Sequence, residues 1–354
     1  MHILNFLPRV KDYLMSKTTL LITALFVLGV IGAYSVYKPF LLSMSVAILL
    51  AMATFNLSKQ LVSLTSSAKI SSAISTLLLS LLLFAPIIYL ATVGVGYLSV
   101  LNTHGIKDTV STAKVFVEQV PFLKTFTNEY LSDAKISEYI QASTHYITVA
   151  GGAGLGFMKN MFLVVVFYFF INFYGNKFFD MILDLLPVSS AKSLAMMQEV
   201  SATMEVVFYS VIVTAILEGF LFGIIAYYFG FDGILFGVIY GFASLIPIIG
   251  GVIVWAPVSL YAWTQIDTQT AIIISTYSII VISIIADTFL KPMIIKIIKE
   301  DFLKSTIQIN SMVIFFSIFA GMSTYGFWGM ILGPAITSFL IAITKVYLDY
   351  SDKE

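Results

Sequence analysis

Ser244-Leu245-Ile246-Pro247-Ile248-Ile249-Gly250-Gly251 lies inside an otherwise apolar run, Gly233–Trp263, which carries a further proline at Pro257. A helix surrounded by hydrocarbon must pair its backbone N–H and C=O groups internally. A Pro or Gly-Gly step frees some of them, at on the order of several kcal/mol each if nothing else pairs them. The break therefore predicts a helical hairpin covered by protein or lining water. A second run, Thr306–Tyr347, is interrupted in the same way by Gly321-Met322-Ser323-Thr324-Tyr325-Gly326-Phe327-Trp328-Gly329-Met330-Ile331-Leu332-Gly333-Pro334. A matched pair of broken apolar segments points to a transporter binding site. One unbroken apolar stretch, Thr270–Leu290, separates them, so they begin on opposite sides of a membrane. Two hairpins dipping in from opposite faces, with tips near Pro247–Gly251 and Tyr325–Gly329, fit this pattern. Two ordinary spans joined by a tight turn at each place fit it as well.

The chain outside these runs is equally apolar. Of its 354 residues, 59% are hydrophobic and 11% charged, with a mean hydropathy of +0.98. A soluble domain is about 45–50% apolar and about 25% charged, so these charges are too few to cover a soluble surface. Uncharged runs at Thr18–Tyr37, Phe40–Phe55 and Ile70–Val100 (with Pro86 predicting a kink) read as spans, as do Val207–Phe229 and Gly156–Gly175, the latter with Lys159 near its outer end. Thr18–Tyr37 is longer than a signal-peptide core and leads almost directly into the next apolar run, so it reads as a retained span. Asn176–Val206 reads as a polar loop containing Pro187, and Lys291–Ser305 as a charged loop.

The expected fold is all-α and polytopic, with about six full spans plus two Gly/Pro-broken helical hairpins, or eight or more spans by hydropathy. Residues 1–100 hold the first three spans. Residues 101–146, where charges alternate with apolar residues at helical spacing, form a small amphipathic extracytoplasmic cap. Residues 147–206 hold the fourth span and a cytoplasmic loop, 207–347 the transport core, and 348–354 a cytoplasmic tail. With both termini inside, thirteen of the 19 basic residues face the cytoplasm, as the positive-inside rule prefers.

Few charges lie within the apolar runs. Glu218 sits in the middle of Val207–Phe229 and must be protonated, paired or facing water. It reads as a proton-coupling or cation-binding carboxyl, or as a neutral Glu bonded to a neighbouring helix or subunit. Asp287 and Lys291 are four apart, acid first, which suits an intrahelical pair; the alternative makes Asp287 a second cation ligand beside Glu218. Asp232 and Asp267 read as solvated span edges. Gly151, Gly152, Gly154 and Gly156 resemble a phosphate loop only superficially, because no Gly-Lys-Ser/Thr follows; close helix packing explains them better. His2, His104 and His145 show no metal-ligand spacing, and with 0 cysteines there is no thiolate site. A net charge of +0 gives no reason to expect nucleic acid. Neither a nucleotide-binding loop nor an intramembrane hydrolase motif is present, so the expectation is a gradient-driven transporter and no enzyme.

Several stretches taken in order resemble the autoinducer-2 exporter family of permeases: Ile216-Leu217-Glu218-Gly219, Leu245-Ile246-Pro247-Ile248-Ile249-Gly250 with Pro257, Leu290-Lys291-Pro292, and Gly326-Phe327-Trp328-Gly329-Met330-Ile331-Leu332-Gly333-Pro334. Phe167-Tyr168-Phe169-Phe170 and Leu185-Leu186-Pro187 are weaker echoes. The chain departs from the family's usual pattern at Asn172 and Phe173, at Lys296 and at Glu218, where glutamine is common. The resemblance implies a secondary transporter of the inner membrane that assembles as a homo-oligomer. Some members are associated with export of autoinducer-2, others with exchange of sodium or lithium for protons. The residues expected on a substrate or ion path are Glu218, Pro247, Gly250, Gly251, Pro257, Asp287, Pro292, Gly326, Gly329, Gly333 and Pro334. No cofactor is expected beyond Na+ or H+ as the coupling ion. The partners are a small polar solute or a monovalent cation, and the lipid bilayer. A membrane scaffold or channel that moves nothing by coupling is the remaining alternative.

Overall fold

The computed structural model describes residues 17–94, 114, 155–175, 177, 190–246, 249–298 and 311–351. The expected cap at 101–146, except Lys114, and Pro247 lie outside these residues; of the expected tail at 348–354, residues 348–351 continue the last helix and 352–354 lie outside. All regular structure among the described residues is helical. The helices are α1 (Lys17–Tyr37), α2 (Leu41–Ala53), α3 (Phe55–Thr65), α4 (Ala68–Tyr89), α5 (Leu155–Gly175), α6 (Ser190–Tyr228), α7 (Gly233–Ala243), α8 (Gly250–Gln265), α9 (Thr268–Tyr277), α10 (Lys291–Ile297), α11 (Ser311–Tyr325) and α12 (Gly329–Ser351). A π-helical stretch, Ser278–Leu290, joins α9 to α10 in one continuous helical run.

Among the described residues, six helical runs are long and apolar enough to cross a membrane: Thr19–Ala53, Ala68–Val93, Leu155–Gly175, Met197–Tyr228, Thr268–Ile297 and Met312–Thr344. The protein is therefore an all-α, multi-pass membrane protein. The spans read separately as Thr18–Tyr37 and Phe40–Phe55 form one run, with a 3-10 turn at Lys38–Phe40 where Pro39 enters. Met312–Thr344 folds back at Gly326, whose φ of +60° favours glycine, so that α11 and α12 pack on each other.

Two boundaries differ from the sequence expectation. The loop expected at Asn176–Val206 is helical from Ser190, so α6 runs 39 residues. No Gly or Pro interrupts Ser190–Val206, and its polar residues are accommodated on a helix that extends beyond the apolar run. Likewise the charged loop expected from Lys291 continues as helix to Ile297, because Pro292 stands in the first turn of α10, where proline is tolerated. Pro86 is accommodated inside α4, and a π-helical stretch, Leu90–Gly94, follows it.

Two apolar cores hold these elements. Val46, Leu50, Leu79, Met161, Val164 and Tyr168 unite α2, α4 and α5, and Trp328 and Leu332 of the second hairpin join them. Phe222, Tyr240, Val254, Val258, Ile274 and Ile282 unite α6, α7, α8, α9 and the π-helical stretch. Helix α6 belongs to both regions, since it also packs on α2 and α12.

Candidate transport site

Helix α6 turns into α7 through Gly230, at φ +82°, and the two lie back to back along a seam of glycines. A methyl group at Gly219 would come within 2.5 Å of the Gly237 carbonyl oxygen, and one at Gly237 within 2.8 Å of the Gly219 carbonyl oxygen. Gly223 and Gly233 meet in the same way. Small residues let the backbones approach closely, which is how helices associate where lipid offers no hydrophobic drive. Asp232 caps α7 by accepting from the Leu235 N–H at 2.9 Å. This, rather than simple solvation, explains an acid at that span edge.

The seam orients Glu218. Its neighbour Gly219 faces α7, and its carboxyl turns towards the helical run Thr268–Ile297. There the Lys291 ammonium donates to Glu218 Oε1 at 2.9 Å and to Asp287 Oδ1 at 3.2 Å. The Glu218 side chain is 7% exposed, Lys291 34% and Asp287 46%. Asp287 and Lys291 thus form the expected i,i+4 pair, and the lysine also neutralises the buried carboxyl across the interface. Pro292 follows the lysine directly. The contact of Lys291 with Glu218 was not legible in the spacing, because nothing in a sequence aligns α6 with α10.

Tyr240 of α7 links this triad to the first break. Its ring stacks on Phe222 at 4.6 Å between centroids, it lies within electrostatic reach of Glu218 and Asp287, and a methyl at Gly251 would meet its hydroxyl at 2.5 Å. Gly250 and Gly251 open α8 directly after Ile249, and Pro257 is inside α8. Beyond them, Trp255 Nε1, Ser259 Oγ and Ser278 Oγ are buried without a hydrogen-bond partner. Buried orphans of this kind mark places where water or an ion belongs.

Gly326, Gly329, Gly333 and Pro334 stand elsewhere. They form the second hairpin, whose tip residues Phe327 and Trp328 pack against Phe157 of α5. The structure therefore divides the expected site residues. Glu218, Asp287, Pro292, Gly250 and Gly251 gather around Lys291 and Tyr240, and the other glycines with Pro334 build a separate hairpin. What the two share is a cavity of about 610 Å³, reached by Leu245 from the first tip and by Phe327 and Trp328 from the second. Its walls are apolar, and Glu218 is not among them. Among the described residues, no group of three or more His, Cys, Asp or Glu could hold a metal ion.

A second buried carboxyl was missed in the sequence. Glu205 of α6 is 5% exposed and accepts from Asn56 Nδ2 at 2.9 Å. The signal that could have found it is the unbroken helix-forming composition of Ser190–Val206, which puts Glu205 on the same helix as Glu218.

The family described as AI-2E family transporter matches residues 20–349. Two provisionally named transport proteins of Helicobacter pylori are similar over 333 residues, at 31% and 32% identity, covering 92% of this chain and 94% of theirs. A transport protein of Aquifex aeolicus, also provisionally named, is 25% identical over 264 residues, 70% of either chain. None of these names specifies a substrate.

Proposed function

The chain belongs to the AI-2E family of transporters, and from that premise we propose that it is a proton-coupled secondary transporter of the bacterial inner membrane that exports a small polar solute such as autoinducer-2. The observation that carries the coupling is the Lys291 ammonium set between Glu218 and Asp287. A buried carboxylate is tolerated while a cation faces it. Protonation of Glu218 removes its charge, and Lys291 keeps the more exposed Asp287. The neutral carboxyl then no longer holds Lys291 electrostatically across the contact between α6 and α10. A bistable pair of this kind is what a transporter needs to alternate between two states.

Length supports a re-entrant first hairpin. Helix α7 has 11 residues, about 16 Å at 1.5 Å per residue, against about 30 Å of hydrocarbon. The orientation with both termini cytoplasmic follows the basic residues, and homo-oligomeric assembly follows the resemblance. A sodium or lithium/proton antiporter is the second reading. It is weaker at this site because an ammonium already occupies the position a metal cation would take.

Everted vesicles test both. Efflux-direction uptake of labelled furanone solute on acidifying the lumen, with no sodium-dependent dequenching of a pH dye, is the expected result. Sodium-dependent dequenching without solute uptake replaces this reading with the antiporter. Glu218→Gln, at normal expression, is expected to reduce pH-driven transport to the level of empty vesicles, and full retention would remove Glu218 from the mechanism.

A further inference from the structure

We propose that Glu205 is a second, separate proton-binding carboxyl, set at the joint between α2, α3 and α6 and reached from the α3–α4 side of the protein. Three observations meet there. Glu205 is 5% exposed. Its Oε2 accepts from Asn56, and its Oε1 is buried with no partner at all. The joint it faces is a break in the helix, where Thr54 leaves helical geometry between α2 and α3.

Among the described residues, the groups around it carry no compensating cation. On α6 itself, Tyr209 lies within electrostatic reach of Glu205 and of Tyr168 of α5, and Glu199 lies between one and two turns before it. Helix α2 has no titratable side chain, and α12 has none before Lys345. On α3, Lys59 lies over the Phe55 ring at 5.1 Å. Helix α4 carries Lys69 in its first turn and Tyr89 at its last residue, and α5 carries Lys159 and Tyr174 besides Tyr168. This is the opposite of Glu218, which has its lysine at 2.9 Å. A carboxyl so placed is stable as the neutral acid, and it becomes a binding site for a proton because nothing else balances its charge.

A string of polar groups continues from the joint. Thr54 Oγ1 and the Tyr168 hydroxyl share a hydrogen bond of 2.7 Å. The Ser58 hydroxyl donates to Asn172 Oδ1 at 2.8 Å and lies 3.3 Å from Ser75 Oγ, and the Ser71 hydroxyl donates to the Ser58 carbonyl at 3.0 Å. These residues lead along α3 and α4 to the turn at Ser66–Ser67. Such a run of buried and half-buried hydroxyls among apolar helices suits water and proton passage.

Infrared difference spectroscopy of the purified full chain in lipid nanodiscs tests the assignment by titrating pH. A protonated-carboxyl stretch is expected at neutral pH, to be lost in Glu205→Gln and retained in Glu218→Gln. Its persistence unchanged in Glu205→Gln overturns the proposal, whatever becomes of Glu218. Loss of the band on adding sodium at constant pH also overturns it, by making the site a sodium site. Should Glu205→Gln fail to fold, Asn56→Ala is expected to shift the band and its titration midpoint, and no shift there rejects the assignment.

Discussion

In the second hairpin the glycines face one another across the two arms: Gly321 lies against Gly329 and Gly333, and Gly333 against the Ser317 carbonyl. In the first, Gly233, Gly237 and Gly241 of α7 face outward onto Ala215, Gly219 and Gly223 of α6. The arms of the first hairpin touch closely near its tip, where Gly250 meets the Ala243 carbonyl and Gly251 meets Tyr240. Two runs with the same Gly/Pro pattern are thus held in different ways. The arms of the second pack on each other along their length, so it behaves as one wedge, and its α12 arm rests as a whole on α6 and α2. One arm of the first is fastened to the helix that carries Glu218, and the other, α8, packs on α9. A hairpin divided between two helices can transmit movement of one to the other, whereas a self-packed wedge moves as a body.

The largest effect expected from this difference is at Gly333. A methyl there meets backbone, which cannot rotate away, so Gly333→Ala is expected to cost about 3 kcal/mol and to lower the thermal unfolding midpoint in detergent sharply. The corresponding change in the α6–α7 seam, Gly237→Ala, places its methyl 2.8 Å from the Gly219 carbonyl oxygen. Two helices able to shift apart relieve that contact at about 1–2 kcal/mol. A Gly237→Ala midpoint as low as that of Gly333→Ala would mean that the first hairpin is as closed as the second. The two variants also differ in function: Gly237→Ala is expected to alter the pH profile of transport at normal expression, because the seam sets where Glu218 points.

Much of this was legible beforehand. Both breaks, the membrane class and the Asp287–Lys291 spacing follow from local rules, because a helix interruption and an i,i+4 pair are properties of neighbouring residues. What was not legible depends on contacts between distant segments. Glu218 and Lys291 are 73 residues apart, and no periodicity records that they meet. The same holds for Tyr240 against Gly251 and for Asn56 against Glu205. The loop assigned to Asn176–Val206 shows a different failure: the density of polar residues outweighed the absence of any helix breaker from Ser190 onward, and a buried carboxyl was hidden inside a supposed loop. Asp232 and Asp267 stand at span edges as expected, Asp267 exposed to solvent, but the capping bonds that each accepts are not visible until the backbone N–H groups are in place.

Asp267 gives the smallest and most local test of the comparison, because it fixes the start of α9, against which the outer arm of the first hairpin rests. The Thr270 N–H donates to Asp267 Oδ1 at 2.7 Å and the Thr270 hydroxyl to Oδ2 at 2.8 Å. These bonds, the backbone one foremost, hold the carboxyl below its ordinary value. A group depressed in the folded state stabilises above its unfolded value and loses that contribution as pH falls through the folded one. Asp267→Ala is therefore expected to lower the unfolding midpoint slightly at neutral pH, with the difference from the parent shrinking as the solution is acidified. Hydrogen exchange should quicken at Thr270 and Ala271, whose N–H groups in the first turn of α9 bond to Asp267, while α11 and α12 stay protected. If exchange quickens in the second hairpin too, the two hairpins are coupled through the cavity between their tips, and the division drawn here between a divided hairpin and a closed wedge fails.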